Sequence, residues 1–525
     1  MKFKTTIQHL SAIAAASVMT AACISNFEDL NTHPTDPAPD KMTTTEKTGI
    51  LLPTLINLLS PQHENESQMI DQIIFGQMGG YFTCPTIWDG TNLGTYNPSD
   101  KFMQSPFNNI LPTFYTNYFN IMEQTERNGL VAILANIVRA GVMIRVADTY
   151  GPIPYSKLGK GDFNVAYDNL DVLYPAMIDD LSNAIRELGK YSGKLELIAD
   201  YDVMYNGDVD KWKKYANSLK FRMAVRISNT DKLDFAKTAM QEAFDGGMLL
   251  ENSDNAMIPA GDNPFYKASL SWGDLAINAT LSSYMNKYWD SRISAYMLPI
   301  QSKNLQEKYD GVRLGIEGKG KVKSDTYSMP AFKQDSPMPV FYAAESYFLL
   351  AEAVMRGWIT TGQSAQYYYE EGIKKSFSQW NVSLGDYMSQ GSGYVTYKDP
   401  DQTAKVKGDY PASHIYAPGI GWNDGDEEEI KLQKILTQKY LANYPMGLES
   451  WSDFRRTGYP QLMAPLHNLS SGSELGTIDN LRQVRRLKYP QKEYDNNNAN
   501  VTASVAENFG GQDTGNQDLW WAKKN

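Results

Sequence analysis

The chain has 525 residues, a formal net charge of −11 and a pI near 5.1, so it lacks the basic surplus that nucleic-acid binding requires. With 42% hydrophobic and 21% charged residues, its composition is globular rather than disordered. Most of the 33 tyrosines and 10 tryptophans must lie in a core, but the tyrosine excess predicts that some rings lie on the surface.

The N-terminus has the pattern of a secretory signal. Two lysines in the first four residues precede an apolar run, Leu10 to Ala22, that ends in small residues before Cys23. Residues 1–22 are therefore predicted to be a lipoprotein signal peptide. Residues 20–23 (TAAC) are similar to a bacterial lipobox, with Thr20 where leucine is usual, and predict lipidation of Cys23. The alternative is a plain secreted protein with an unmodified Cys23.

The cysteine count limits how the mature chain is stabilised. Only Cys84 accompanies Cys23, so lipidation of Cys23 leaves no intramolecular disulfide and stability must come from a large core. Cys84 has no histidine near it in the sequence and is predicted to be a buried thiol rather than a nucleophile. Residues 23–45 are predicted to be a polar anchor leader, and residues 46–525 a single domain. No later run is expected to cross a membrane, so the mature chain is tethered rather than spanning.

Apolar residues recur at helical spacing along the mature chain. The central pair of predicted helices runs from Pro339 to Trp380, with Gly357 and Gly362 at the turn and Ser364 as a cap. The other predicted helices are 51–59, 69–78, 130–144, 173–188, 212–223 (capped by Asp208 or Asp210) and 427–444. Short amphipathic pairs cannot bury their faces alone, which favours a repeat scaffold. Periodicity alone leaves an ordinary helical pair equally open.

Three irregular segments interrupt these helices: residues 79–100, 259–337 and 390–426. Long loops in a compact domain are usually functional or disordered, and their aromatic content argues against disorder.

Motifs for catalysis or metal binding are weak. Gly315 to Val322 is similar to a phosphate-binding loop, but valine stands where a Ser or Thr would hold magnesium. The four histidines after the signal have no metal-ligand spacing, and the acids from Asp424 to Glu429 lack the alternating ligands of a calcium loop. No cofactor, metal or catalytic residue is expected.

The positive signal is aromatic. Sugar rings present flat C–H faces that stack on Trp and Tyr, while Asn and Asp hold the hydroxyls. Loop packing is the alternative for each ring. Trp212 and Trp380 fall on helix faces and are expected to be core. The candidate ligand-binding residues are Tyr81, Trp88, Asn92 and Tyr96 in the first loop and Trp272, Trp289 and Tyr296 in the second.

Six segments together carry a family resemblance. They are FEDLNTHP (27–34), RAGVMIRVADTYGPIP (139–154), YNGDVDKWKKYANSLKFRMAVR (205–226), AESYFLLAEAVMRGW (344–358), WSDFRRTGYP (451–460) and RRLKYPQKE (485–493). In this order they resemble the SusD/RagB family of outer-membrane nutrient-binding lipoproteins of Bacteroidetes-type bacteria.

The resemblance implies a mainly α fold: a tetratricopeptide-like scaffold of helical hairpins with long irregular loops and little β structure. It implies a surface-exposed outer-membrane lipoprotein, anchored through Cys23, that binds oligo- or polysaccharides and catalyses no reaction. The implied partner is a TonB-dependent transporter of the SusC/RagA kind, which imports the glycan. The arginine-rich segments are expected to be structural. A peptide receptor of the same family, a secreted hydrolase and a purely structural partner of the transporter remain open.

Overall fold

The structure is a computed structural model. It describes residues 42–88, 90–161, 164–301, 308–316, 320–401, 408–411 and 414–522. The predicted signal peptide, Cys23 and most of the predicted leader lie outside the described residues.

Helices dominate the described chain. They are α1 (Thr44–Gly49), α2 (Leu52–Asn57), α3 (Glu64–Ser67), α4 (Asp100–Met103), α5 (Ser105–Asn108), α6 (Ile110–Gln124), α7 (Leu130–Tyr150), α8 (Leu170–Leu188), α9 (Glu196–Ala199), α10 (Val209–Arg226), α11 (Leu233–Asp245), α12 (Pro264–Tyr266), α13 (Ala279–Lys287), α14 (Ile293–Tyr296), α15 (Ala343–Met355), α16 (Ala365–Gln379), α17 (Glu428–Ala442), α18 (Gly447–Thr457), α19 (Gln491–Asn496) and α20 (Asn498–Phe509). A π-helix, Gln68–Gly76, follows α3 directly.

The predicted hairpin scaffold is confirmed. Helix α7 packs on α8, α10 on α11 and α15 on α16, while α8 also contacts α10 and α15 contacts α17. In each pair, one helix covers the apolar face of the other, as expected for stacked helical hairpins. The Ser364 side chain accepts a hydrogen bond from the Tyr367 amide at the start of α16, and Asp208 caps α10 in the same way.

Helix α7 corrects one expectation. Its 21 residues are long and apolar enough to cross a membrane by length and composition, although no run after the signal was expected to be. In the fold, however, 83% of its most apolar window is buried against other helices. Because its surface is covered by protein on nearly all sides, α7 is a central core helix.

Little β structure is present in the described chain, as predicted. Three two-stranded antiparallel sheets pair β1 (Phe82–Thr83) with β3 (Ala276–Ile277), β2 (Ala256–Ile258) with β4 (Met338–Phe341), and β5 (Gly393–Tyr394) with β6 (Tyr416–Ala417). Strand β4 occupies the beginning of the segment predicted as the central helix pair. Pairing with β2 satisfies its backbone groups, and α15 begins only at Ala343.

A network of buried ion pairs joins the hairpins to α18. Arg222 of α10 makes a two-pronged contact with Glu345 of α15 at 2.8 and 2.7 Å. Arg226, one turn later, reaches Asp148 of α7 and Glu449 of α18, each at 2.5 Å. We call these five residues the central charge network. Its arginines come from the segment 205–226, so their expected structural role is confirmed.

A second buried pair extends the same interface. Arg456 of α18 holds Glu352 of α15 through two contacts of 2.6 and 2.7 Å, and both side chains are about 1% exposed. The predicted buried thiol is also confirmed, because Cys84 is 1% exposed and burial raises the pKa of its thiol.

Candidate functional site

Three residues of the first predicted site, Tyr81, Asn92 and Tyr96, are buried. The Tyr81 ring stacks on Tyr440 of α17 with centroids 4.8 Å apart, and its hydroxyl donates to the Tyr440 carbonyl oxygen at 2.6 Å. The Asn92 amide donates to the carbonyl oxygens of Cys84 and Thr86, each at 2.8 Å. These side chains therefore hold the 79–100 loop onto the scaffold and face away from solvent.

Trp88 of the first loop and Trp272 of the second loop are half-buried. The Trp88 ring lies on Phe102, with centroids 5.4 Å apart. Their segments are adjacent, since the Thr86 hydroxyl donates to the Asp274 carboxylate at 3.0 Å and β1 pairs with β3. The structure thus brings together two stretches that the sequence separates by more than 180 residues.

Trp289 stands apart from the other predicted residues. Its side chain is 82% exposed, and its backbone has φ 51°, in the left-handed region that bulky residues avoid. Next to it, Asp290 and Arg292 form a fully buried ion pair at 2.6 Å that fixes the turn after α13. An exposed indole forgoes its burial energy and the left-handed backbone adds strain, so Trp289 is a candidate functional residue.

The β5–β6 hairpin adds two more exposed rings beside this turn. The Lys287 ammonium donates to the Gly391 carbonyl oxygen at 2.9 Å, which joins the end of α13 to the hairpin. Tyr394 is 52% exposed, Tyr416 is 45% exposed, and their rings meet edge to face at 5.2 Å. We call Trp289, Tyr394 and Tyr416 the exposed aromatic surface.

The sequence reasoning missed Tyr394 and Tyr416. Both lie in the irregular segment 390–426, which is rich in Gly and Tyr, and this composition was the available signal. Nothing in the sequence places that segment next to Lys287 at the end of α13, because this contact depends on how the loops fold over the helices.

Tyr296 lies behind the exposed turn, in the wall of a cavity. It is buried, its hydroxyl donates to the Leu441 carbonyl oxygen at 2.7 Å, and its ring stacks on Tyr444 at 4.6 Å. Burial raises the pKa of Tyr296 to about 12, so the hydroxyl stays protonated at neutral pH and remains a donor.

This cavity has a volume of about 370 Å³ and a neutral lining. Trp380, expected in the core, is half-buried and forms part of the wall, and its indole N–H has no hydrogen-bond partner in the described parts of the chain. The lining residues are Asn252, Ser253, Asn255, Met257, Ala295, Tyr296, Ala331, Phe332, Ser336, Pro337, Tyr342, Gln379, Trp380 and Tyr444. Aromatic walls with amide and hydroxyl groups are typical of pockets that hold an uncharged polar ring.

Metal-ligating groups do not gather at this surface. Across the described ranges, no cluster of three or more His, Cys, Asp or Glu side chains is arranged to hold a metal ion. What the rings and amides of this region can do is stack on a ligand and hydrogen-bond to it.

The fold is a scaffold of stacked helical hairpins that carries exposed aromatic rings on its loops and turns. A family model described as SusD-like, the SusD and RagB outer membrane lipoproteins, matches residues 29–522. The chain belongs to this family, and its mainly α, tetratricopeptide-like fold is the fold of SusD-like structures.

Solved structures of the family are similar over most of the chain. A SusD-like protein from Bacteroides thetaiotaomicron is 33% identical with a TM-score of 0.85, and a SusD homologue from Bacteroides ovatus is 34% identical with a TM-score of 0.84. A chitin-binding SusD homologue from Flavobacterium johnsoniae is 32% identical with a TM-score of 0.83. Each comparison covers 91% of this chain and 99% of the other. A comparison with curated proteins found no match.

Proposed function

We propose that this protein is a receptor that binds glycans on its exposed aromatic surface and catalyses no reaction. The observation that carries this proposal is Trp289, whose indole is 82% exposed on a strained backbone. A flat exposed indole provides a face on which a sugar ring stacks, and Tyr394 and Tyr416 are further exposed rings on the segment that Lys287 joins to the end of α13. The neutral cavity beside Tyr296 supports the same ligand class.

The relatives support the ligand class without naming the sugar. One SusD homologue with the same fold is described as chitin-binding. We propose an oligo- or polysaccharide as the ligand of this chain, with Trp88 and Trp272 as further proposed contacts at the edge of the neighbouring loops.

We propose further that the protein is anchored by lipid at Cys23, faces the cell surface, and delivers its ligand to a TonB-dependent transporter. The family name, which describes outer membrane lipoproteins, supports this arrangement. Replacing Cys23 with Ala is expected to release the protein from membranes, and unchanged membrane retention would refute the anchor. Co-purification of the transporter with the tagged wild-type protein tests the partner.

The direct test is calorimetric titration of the chain starting after Cys23 against a panel of glycans, including chitin oligomers. Covering ~80 Å² of the Trp289 indole at ~25 cal/mol/Å² is worth ~2 kcal/mol, so Trp289→Ala should weaken binding roughly 30-fold. Trp88→Ala in the same titration tests the neighbouring loop.

The matched control is Tyr367→Ala. Tyr367 is 41% exposed, but it lies at the start of α16, ~18 Å along the helix from Gln379 at the cavity. The control should bind like the wild type. Glycan binding that survives Trp289→Ala at full affinity would refute the assigned surface, and silence across the panel would favour a peptide ligand.

A further inference from the structure

A second cavity, of about 360 Å³, lies between the end of α18, the residues Tyr410, His414 and Ile415, and the loop 481–485. Its lining differs from that of the neutral cavity because three arginines contribute to it and no acidic residue does. The lining residues are Tyr410, His414, Ile415, Phe454, Arg455, Gly458, Gln461, Leu462, Leu481, Arg482 and Arg485. We call it the basic cavity.

Positive charge in the basic cavity is only partly neutralised. Asp518 is the carboxylate that reaches it, contacting Arg482 and, at 2.6 Å, Arg485. Arg455 is fully buried, and its hydrogen bonds within the described chain go to neutral oxygens, among them the carbonyl oxygen of Asp148 at 2.6 Å. The lining thus carries three guanidinium groups and no carboxylate of its own, while Asp518 pairs with two of them and Asp148 lies near the third.

The pKa values of two of these groups show the same imbalance. Burial and the neighbouring cations Arg226 and Arg485 lower the pKa of Arg455, although the nearby Asp148 raises it. Burial and Arg482 likewise lower the pKa of Arg485 against the opposing effect of Asp518. Arginine stays protonated in proteins, so the cavity retains uncompensated positive charge that an anion would stabilise.

One guanidinium in the cavity is available for a ligand. The Arg482 side chain is 36% exposed and donates one Nη to Asp518, while its Nε and other Nη make no hydrogen bond to the chain as described. A planar guanidinium with unused N–H donors can bind the oxygens of a carboxylate or sulfate.

The basic cavity adjoins the exposed aromatic surface. The Gln461 side chain, in its wall, accepts a hydrogen bond from the Tyr416 backbone N–H at 3.3 Å. Ile415, also in the wall, accepts a backbone hydrogen bond from Val395 in the same hairpin. Ile415, which lines the charged cavity, is the chain neighbour of Tyr416. A sugar stacked on Tyr416 is therefore next to the residue at which the cavity begins.

We propose that the basic cavity binds the oxyanion substituent, a carboxylate or a sulfate, of an acidic sugar whose chain continues over Tyr416. This inference rests on the proposed function and specifies its substrate class: glycans with uronic-acid or sulfated residues. Arg482 supplies the exposed contact, and Arg455 and Arg485 supply buried positive charge behind it.

The first test addresses the anion alone. Sodium glucuronate and sodium sulfate are compared with sodium chloride at matched ionic strength by thermal unfolding of the wild type and of Arg482→Gln. Both oxyanions should raise the wild-type unfolding temperature over chloride, and the variant should lose this response. Arg186→Gln, which removes an exposed arginine from α8, is the matched control and should behave like the wild type. If the wild type and both variants responded equally, the oxyanions would act as an adventitious ion only, independently of Arg482. That result would overturn the proposal.

The second test separates this inference from the proposed function. Acidic oligosaccharides are titrated beside their methyl-esterified or desulfated forms, which keep the sugar and remove the charge. Arg482→Gln should weaken the acidic form roughly tenfold or more and leave the neutral form unchanged. Neutral forms that bind as tightly as acidic ones would refute the acidic preference while the receptor role stands. Binding of no glycan would overturn both, and an acidic peptide that binds with the same Arg482 dependence would refute the sugar assignment.

Discussion

The pair between Arg456 and Glu352 offers a sharp test of what holds the hairpins to α18. The variant Glu352→Gln keeps the side-chain shape but removes the charge that Arg456 contacts at 2.6 and 2.7 Å. Both groups are about 1% exposed, so water cannot replace the lost partner. Asp453 remains near Arg456 at 3.3 Å but also binds Lys439 at 2.8 Å, so it compensates only in part.

The expected cost follows from this burial. Breaking one side of a buried ion pair destabilises proteins by ~3–5 kcal/mol, and we expect about 3 kcal/mol because Asp453 remains. The measurement is urea unfolding followed by circular dichroism, in which the midpoint should fall while the slope of the free energy against urea stays constant.

Two further variants make the test decisive. Glu428→Gln removes a comparable carboxylate that is 56% exposed and pairs with Arg356 on the surface, so it should cost at most ~1 kcal/mol. The double variant Glu352→Leu with Arg456→Met should recover most of the stability, because an apolar pair leaves no charge unpaired. If Glu352→Gln cost no more than Glu428→Gln, the assignment of this pair to the stability of the interface would be wrong.

Three other predictions follow from buried groups and a helix cap. Burial opposes ionisation of Glu449, but Arg222 and Arg226 outweigh it and hold the pKa of this carboxyl below its ordinary value of 4.5. The free energy of unfolding of the wild type should therefore exceed that of Glu449→Gln by a constant amount above pH 4.5. Below pH 4.5 this difference should shrink, as urea unfolding at several pH values would show. The Cys84 thiol should react with a thiol reagent at pH 8 only after unfolding, and rapid labelling of the folded protein would contradict its burial. Ser364→Ala should cost ~1 kcal/mol in the same unfolding assay, since it removes the cap of α16, and an unchanged midpoint would contradict that role.

The helical scaffold could be predicted because its signals are local. Apolar spacing located α7, α8 and α10, and single polar residues marked where helices begin, as at Ser364 and Asp208. Helix α20 was missed, because the asparagines of its segment have low helix propensity and its buried face depends on tertiary contacts.

The candidate site could be predicted only in part, because exposure is a tertiary property. Tyr81 and Trp289 look alike in the sequence, each an aromatic ring in an irregular segment among polar residues. The fold buries the first against α17 and leaves the second in solvent. Trp380 is the opposite case. Its helical spacing predicts a core position, yet it lines a cavity formed by loops from distant parts of the chain.

The central charge network also constrains the order in which the chain can fold. Arg226 contacts a residue 78 positions before it and another 223 positions after it. Contacts of such sequence separation form late, because long loops must close before they contribute any stability. Until α18 has been synthesised and docks, Arg226 lacks Glu449, one of its two buried carboxylate partners. The network therefore ties the burial of Asp148 and Arg226, in the first half of the chain, to a helix in its last sixth.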